Sequence, residues 1–420
     1  MFVPWDEKIL PIDRIKPSSA HELLHGCRMK AVLSKYPNSE ICNEGIPVHP
    51  NSSIGTIYHR LLEAARRNNP SNGTENWDAD FTFSVLRQLT DQENQSLLQN
   101  PLNAHLAPLN DNSMYHNRCM RGVFNAITIN SNIMPRRIEN NSTGQRFIHS
   151  LFGAEIDVWD LESPWPSNLG TEHAPLFSIK GQIDRVTQNG NRIIIEDYKT
   201  GNIFENDSDE LKNSYITQVR LYAELWINTA RFRHGKQYTI SNIDMFIVDE
   251  TNTRYPIPNQ YEDNISNQVR NILLQTNQVI LNSSNNEQLN LELANPNRGS
   301  CRFCRYRTGC TAYLTNLLAN SGFVEDGFDL VGTLASHPIP NGVSSTDFQM
   351  KVQTVSDLWL VDRVNGRWIE EANLQVGDTI GILGGFEVET NNDILNFDRF
   401  FKCSVNQHAL YRNQEIQPSE

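Results

Sequence analysis

The sequence predicts an α/β unit over residues 1–322 followed by a smaller β-rich unit over 323–420. Three observations predict it. Within Gly181 to Gly201 (GQIDRVTQNGNRIIIEDYKTG) two β-branched limbs flank a Gly-containing turn. Stretches with apolar residues at helical spacing stand on either side of that hairpin, at 54–62 and 215–225. Beyond about 325 short β-rich runs take over, at 330–334, 348–355, 358–364, 379–388 and 400–405, separated by breaks such as Asn365-Gly366 and Val376-Gly377-Asp378. Strands at that spacing suggest a small barrel.

In chain order, Ser18 or Ser19 is expected to cap a helix that carries Glu22 near its third position and runs to Cys27. Read alone, Cys27 is a small buried hydrophobe. Ile54, Ile57, Tyr58, Leu61 and Leu62 mark a second helix with His59 at the edge of its buried face. Residues 68–118, rich in Asn, Ser and Gln, read as helices with long loops. Residues 147–160 read as a strand holding Glu155, and a Pro-rich insertion at 163–175 precedes the hairpin.

The hairpin turns at Asn189-Gly190-Asn191 and delivers acidic residues on each limb, Asp184 on the first and Glu196 and Asp197 on the second, with Lys199 two residues further. Alternation along a strand puts Asp197 and Lys199 on one face and Tyr198 on the other. Carboxylates there suit Mg²⁺ or Mn²⁺, and a neighbouring ammonium can position a water and stabilise charge on an attacked phosphate. Downstream, Tyr215, Val219, Tyr222 and Leu225 mark a helix on which Gln218 and Tyr222, four residues apart, face the same side. Residues 240–249 read as a strand and 261–293 as helix. Cys301, Cys304 and Cys310 form C-x2-C-x5-C, three thiols in one loop that need a fourth ligand to hold zinc or an iron-sulfur cubane.

Composition sets bounds on function. With 38% apolar and 20% charged residues in 420, the chain is an ordinary globular one. It has no apolar run of about 18 residues, and the start MFVPWDEKILPIDRIKPS lacks a basic segment followed by an apolar core. The expectation is a cytoplasmic protein without a membrane segment. Seven cysteines, three of them within ten residues, argue against a secreted disulfide framework; Cys42, Cys119 and Cys403 read as ordinary thiols. The net charge of −13 counts against tight autonomous DNA binding. Arg231 to Lys236 and Arg302, Arg305 and Arg307 are local basic patches, and a partner could supply the remainder.

The wording GQIDRV...IIIEDYKTG resembles the RecB-like branch of the PD-(D/E)XK nuclease superfamily, where G-x-[IV]-D is followed by [ED]-x-K-T-G. Gly55 to Glu63 resembles the branch's G-x-x-x-H-x-x-[LI]-E motif, and Gln218 to Tyr222 its Q-x-x-x-Y motif. The cysteine spacing is similar to that of iron-sulfur members, such as CRISPR-associated exonucleases and AddB-type nuclease domains, which have one Cys upstream of the core and three downstream. The resemblance covers about 18–315. It implies a mixed sheet flanked by helices, with Asp184, Asp197, His59 and the Tyr198 carbonyl binding Mn²⁺ or Mg²⁺, Lys199 orienting the attacking water, and Gln218 and Tyr222 holding the DNA strand. It further implies a structural 4Fe-4S cluster on Cys27, Cys301, Cys304 and Cys310, and puts Glu155 where many relatives carry a carboxylate.

LQVGDTIGILGGFEVE resembles the middle of an OB-fold, in which Trp359, Trp368, Phe386 and Phe400 would be candidates for stacking on bases. The implied activity is phosphodiester hydrolysis on single-stranded DNA or DNA ends, in repair or phage defence, with a helicase or defence-complex protein as partner. No G-x-x-x-x-G-K-[ST] motif occurs in the chain itself. The rival is a non-catalytic DNA-binding or scaffold subunit, which the intact His59, Asp184, Asp197 and Lys199 argue against.

Overall fold

A computed structural model describes residues 8–36, 46, 48, 50–68, 79–100, 103–109, 117–123, 156–159, 178–189, 191–205, 208–234, 237–259, 264–301, 304–319, 329–341, 346–388, 399–403 and 409–413. Glu155, Cys42, Gly190, Arg302 and the insertion at 163–175 lie outside the described residues.

The chain enters through β1 (Arg14–Ile15) and α1 (Pro17–His25). This helix starts one residue before the expected serine caps. Pro17 occupies its first turn, where a preset φ and a missing N–H cost nothing, and Lys16 at the cap position makes no side-chain capping bond. Glu22 therefore serves the other end of the helix. Its Oε2 accepts from the Cys27 N–H (3.2 Å), just before α2 (Arg28–Leu33), and its Oε1 pairs with Lys30 at 2.6 Å. Next come α3 (Pro50–Asn68), which buries Ile54, Ile57, Tyr58, Leu61 and Leu62, and α4 (Ala79–Gln99) packed against it.

The hairpin is divided between two sheets. β2 (Ile156–Trp159) and β1 flank β3 (Ser178–Ile183) in a three-stranded sheet. The chain bends at Asp184 and continues as β4 (Arg185–Asn189), which pairs antiparallel with β5 (Arg192–Tyr198) from Arg185↔Glu196 to Asn189↔Arg192. β5 lies parallel to β6 (Ile243–Val248), and β7 (Arg254–Ile257) closes the four-stranded order β4-β5-β6-β7. The parallel pair needs a crossover, and α5 (Asn213–His234) provides it. It buries Val219, Leu221, Ala223, Leu225 and Trp226, being packed on α1 on one side and the sheets on the other. Glu224 accepts the N–H groups of Ile265 (2.8 Å) and Ser266 (2.7 Å), fixing the start of α6 (Ile265–Asn282), and α7 (Asn286–Leu293) follows.

After the cysteine loop and α8 (Thr311–Ala319) comes an eight-stranded sheet: β8 (Asp329–Leu334), β9 (Ile339–Pro340), β10 (Asp347–Gln353), β11 (Leu358–Asn365), β12 (Thr379–Leu383), β13 (Gly385–Val388), β14 (Arg399–Cys403) and β15 (Ala409–Asn413), with α9 (Gly366–Ala372) between β11 and β12. Its order is β13-β14-β11-β10-β8-β12-β15, with β9 on β10. The expected barrel does not close among the described residues, because β13 pairs only with β14 and β15 only with β12, leaving two edges. Trp359, expected as a stacking platform, is instead core. It is 1% exposed and meets Phe401 edge-on with centroids 6.3 Å apart. Trp368 packs against the same core. No helix among the described residues is long and apolar enough to cross a membrane.

Candidate active site

Two glycines let the elements approach one another, and a third shapes the turn after the lysine. A Cβ on Gly181 would come within 2.6 Å of Pro17 on α1 and of the Tyr222 ring on α5, so only glycine lets β3 run beneath both helices. One on Gly55 would stand 3.3 Å from the Thr200 hydroxyl, which sets how near α3 lies to the end of β5. Gly201 ends the K-T-G run at φ +86°, a conformation glycine adopts without strain.

The bend at Asp184 brings its carboxylate to the tip of β5, where Oδ2 accepts the Tyr198 N–H at 2.7 Å. Oδ1 stands 3.4 Å from His59 Nδ1 on α3. Asp197 Oδ2 pairs with Lys199 Nζ at 2.7 Å, so these two share a face, while Tyr198 is buried among Ile54, Ile57, Tyr58 and Leu61. Lys199 is itself anchored by its N–H on the Val248 carbonyl (2.8 Å), and its ammonium lies 4.9 Å from the centre of the Tyr215 ring. From α5, Gln218 Oε1 accepts from Lys199 Nζ (3.1 Å), and its Nε2 donates to Asp197 Oδ1 (3.3 Å) and to the Tyr222 hydroxyl (3.1 Å). Gln218 and Tyr222 are 7% and 6% exposed, so both turn inward to the acid-lysine pair.

Behind this face Glu196 is fully buried between Arg185 Nη1 (3.0 Å) and Arg254 Nε (2.6 Å). The sequence reading named no role for these arginines or for Tyr215. The only trace was Arg185 directly following Asp184, opposite the acidic end of β5.

Burial opposes charge throughout the site, and the neighbours decide the outcome. For Asp184, desolvation is outweighed by His59, Lys199 and the Tyr198 N–H, and its pKa lies below the ordinary carboxylate value. For Asp197, desolvation together with Asp184 prevails over Lys199, and its pKa is raised. Lys199 and His59 both lie above their usual values, because the carboxylates more than offset desolvation.

Two carboxylates and an imidazole are donors whose chemistry fits a hard divalent cation. Among the described residues no three His, Cys, Asp or Glu side chains are drawn together as a closed ligand set. Here the donors satisfy one another, His59 leaning on Asp184 and Lys199 on Asp197.

The second set is the four thiols. Cys27, Cys301, Cys304 and Cys310 are free, and they lie close enough that Cys27 raises the pKa of each of the other three. Burial is the larger cause, carrying Cys301 to about 11 and Cys304 and Cys310 to about 12. The loop is held by side chains outside the cysteines. Ser300 Oγ donates to Glu22 Oε2 (3.3 Å), joining it to the Cys27 turn; Asn290 Oδ1 accepts from the Cys310 thiol (3.4 Å); and the Tyr313 N–H donates to the Cys310 sulfur (3.4 Å). Among the described residues the four thiols do not form a closed metal-ligating group.

The paired strands thus end in two carboxylates and a lysine, with an imidazole across from them. The model of the PD-(D/E)XK nuclease superfamily matches residues 18–311, and the chain belongs to that superfamily. Members are generally hydrolytic nucleases that use Mg²⁺ or Mn²⁺. No curated protein matches the chain. A solved structure, that of SSO0001, aligns at 17% identity over 52% of this chain and 96% of that one, with a TM-score of 0.22.

Proposed function

We propose that the chain is a metal-dependent deoxyribonuclease that hydrolyses phosphodiester bonds in single-stranded DNA or at DNA ends, in repair or phage defence, with a helicase or defence-complex protein as its partner. The observation that carries the reading is the chain of contacts Gln218–Asp197–Lys199 beside the Asp184 bend. Asp184, Asp197, His59 and the Tyr198 carbonyl would hold Mn²⁺ or Mg²⁺. Bound there, such an ion acidifies water and neutralises charge on the phosphate.

The chain's own residues do the rest. Lys199 orients the attacking water and faces the charge that builds on the phosphate. Gln218, bonded to both Asp197 and Lys199, fixes the distance between them, and Tyr222 fixes Gln218; their burial favours this positioning role over contact with the strand. Residues 1–322 form the nuclease unit. Cys27, Cys301, Cys304 and Cys310 would carry a 4Fe-4S cluster that joins its two ends. Residues 323–420 form a second, β-rich unit that guides the strand.

The test uses purified protein with Mn²⁺ and labelled single- and double-stranded DNA. Cleavage is expected for the wild type and none for Asp184→Ala or Lys199→Ala, with circular dichroism unchanged. Undiminished cleavage by Asp184→Ala would sink the assignment.

A further inference from the structure

An open pocket lies beside the acid-lysine centre, lined by Ile54, Tyr58, Arg118, Cys119, Thr200, Gly201 and Glu250. Its position is set by covalent neighbours of the site: Tyr58 precedes His59, and Thr200 and Gly201 follow Lys199. One wall is apolar, made of Ile54, Tyr58 and Cys119, all buried. The other is an ion pair between Arg118, in the helical stretch 117–123, and Glu250, just past β6. The pair is lopsided. Arg118 Nε (3.1 Å) and Nη2 (2.6 Å) both donate to Glu250 Oε2, so Glu250 Oε1 and Arg118 Nη1 take no further partner among the described residues.

We propose that this cavity is a nucleobase subsite, which receives the base next to the phosphate held at the centre and prefers a base carrying an exocyclic amino group. The inference rests on the nuclease reading for its choice of ligand. An apolar wall with a few convergent polar groups is the usual make-up of a small-ligand site. The charge excludes a second phosphate as the occupant, because Arg118 is already neutralised by Glu250, whereas an anion subsite needs an unpaired cation. What the pair offers is an acceptor, Glu250 Oε1, and a donor, Arg118 Nη1, neither used in the Nε and Nη2 contacts to Oε2. Cytosine carries complementary groups, an N4 amino group that donates and a neighbouring ring nitrogen that accepts. Thymine puts a carbonyl oxygen where the amino group stands, and it would face the carboxylate.

The experiment titrates dCMP and dTMP into the full-length chain without metal, followed by saturation-transfer NMR. The expected result is dCMP binding about tenfold more tightly than dTMP, the scale of one well-made edge contact. Glu250→Gln should abolish the preference, and Ile54→Phe, which fills the cavity from its apolar side and leaves the ion pair, should weaken both nucleotides. Equal affinities, no binding of either, or a preference that survives Glu250→Gln overturns the subsite. A parallel Mn²⁺ cleavage assay on oligo(dC) and oligo(dT) separates the two ideas. If dCMP is preferred and neither oligonucleotide is cut, the subsite stands and the nuclease reading falls; if both are cut while dCMP and dTMP bind equally, the reverse holds.

Discussion

Asp329→Ala should destabilise the chain more than a change at the exposed edge of the Asp184–Lys199 face. Asp329 opens β8 and is fully buried, and four donors converge on it: Arg307 Nε (2.7 Å), Arg307 Nη2 (2.9 Å), the Tyr313 hydroxyl and the Gly384 N–H (2.6 Å). Arg307 also donates through Nη1 to the carbonyls of Cys301 (3.3 Å) and Cys304 (3.2 Å). One bidentate ion pair thus joins the cysteine loop to the C-terminal sheet. Removing one member of a buried pair costs about 3–5 kcal/mol, since the other charge is left uncompensated. The stranded Tyr313 and Gly384 donors add about 1–3 kcal/mol each, less than additively within one network. The expected loss in guanidinium denaturation is therefore at least about 4 kcal/mol. Arg307→Met with Asp329→Leu removes both charges and should lose less than either single change. A loss under about 1 kcal/mol for Asp329→Ala refutes the reasoning. The same contact means that a deletion of 323–420 leaves Arg307 buried without its carboxylate, so such a truncation reports on the cysteine loop as well as on strand binding.

Two further predictions concern the core of the site. Gly181→Ala forces a methyl against Pro17 and Tyr222 and should cost about 1–3 kcal/mol, with catalytic activity falling further than stability, because Tyr222 holds Gln218; a variant as stable and active as wild type would refute the close approach. The His59–Asp184 pair should depend on pH. Asp184 lies below 3.8 when folded, so its contribution is present above 3.8 and lost as pH falls through the lower folded value. His59 lies above 6.5 when folded, so its contribution is present below 6.5 and lost as pH rises through the raised value. The coupling from a His59→Asn and Asp184→Asn cycle in metal-free protein should therefore be full between 3.8 and 6.5 and fade at higher pH; coupling that grows towards pH 9 contradicts it.

Local spacing made the hairpin, its pairing and the shared face of Asp197 and Lys199 legible, because each follows from alternation along one strand. The split of the first limb between two sheets was not legible. A bend at one residue leaves the β-branched pattern on either side unchanged. Nor was the role of Glu196, since a buried carboxylate between two arginines reads in sequence like a solvated one, and Arg254 is more than fifty residues away. The same holds for Arg307, which counted as part of a basic patch and is 3% exposed. In the C-terminal sheet the strands were visible, but their closure depends on which edges pair, and that is set by long-range contacts; Trp359 looked like a stacking surface because an aromatic in a β-rich run carries no mark of its face.

The last prediction concerns the thiols. Burial holds Cys301, Cys304 and Cys310 protonated near neutral pH, so a metal that takes them must displace protons, and its retention should strengthen as pH rises. A crosslink from Cys27 to Cys301 closes a loop of more than 270 residues, and in the chain-entropy model this destabilises the unfolded state by about 6 kcal/mol. The loop does not depend on that link alone. Glu22, Asn290 and Arg307 each bind it through hydrogen bonds that survive without metal. Protein purified without oxygen should therefore be brown and contain iron, while Cys310→Ala should lose the colour and several kcal/mol yet keep its helical circular dichroism at low temperature. Stoichiometric zinc without iron replaces the cluster with a zinc staple. Complete unfolding of Cys310→Ala would show that the metal creates the loop's structure, and that the three polar ties only follow it.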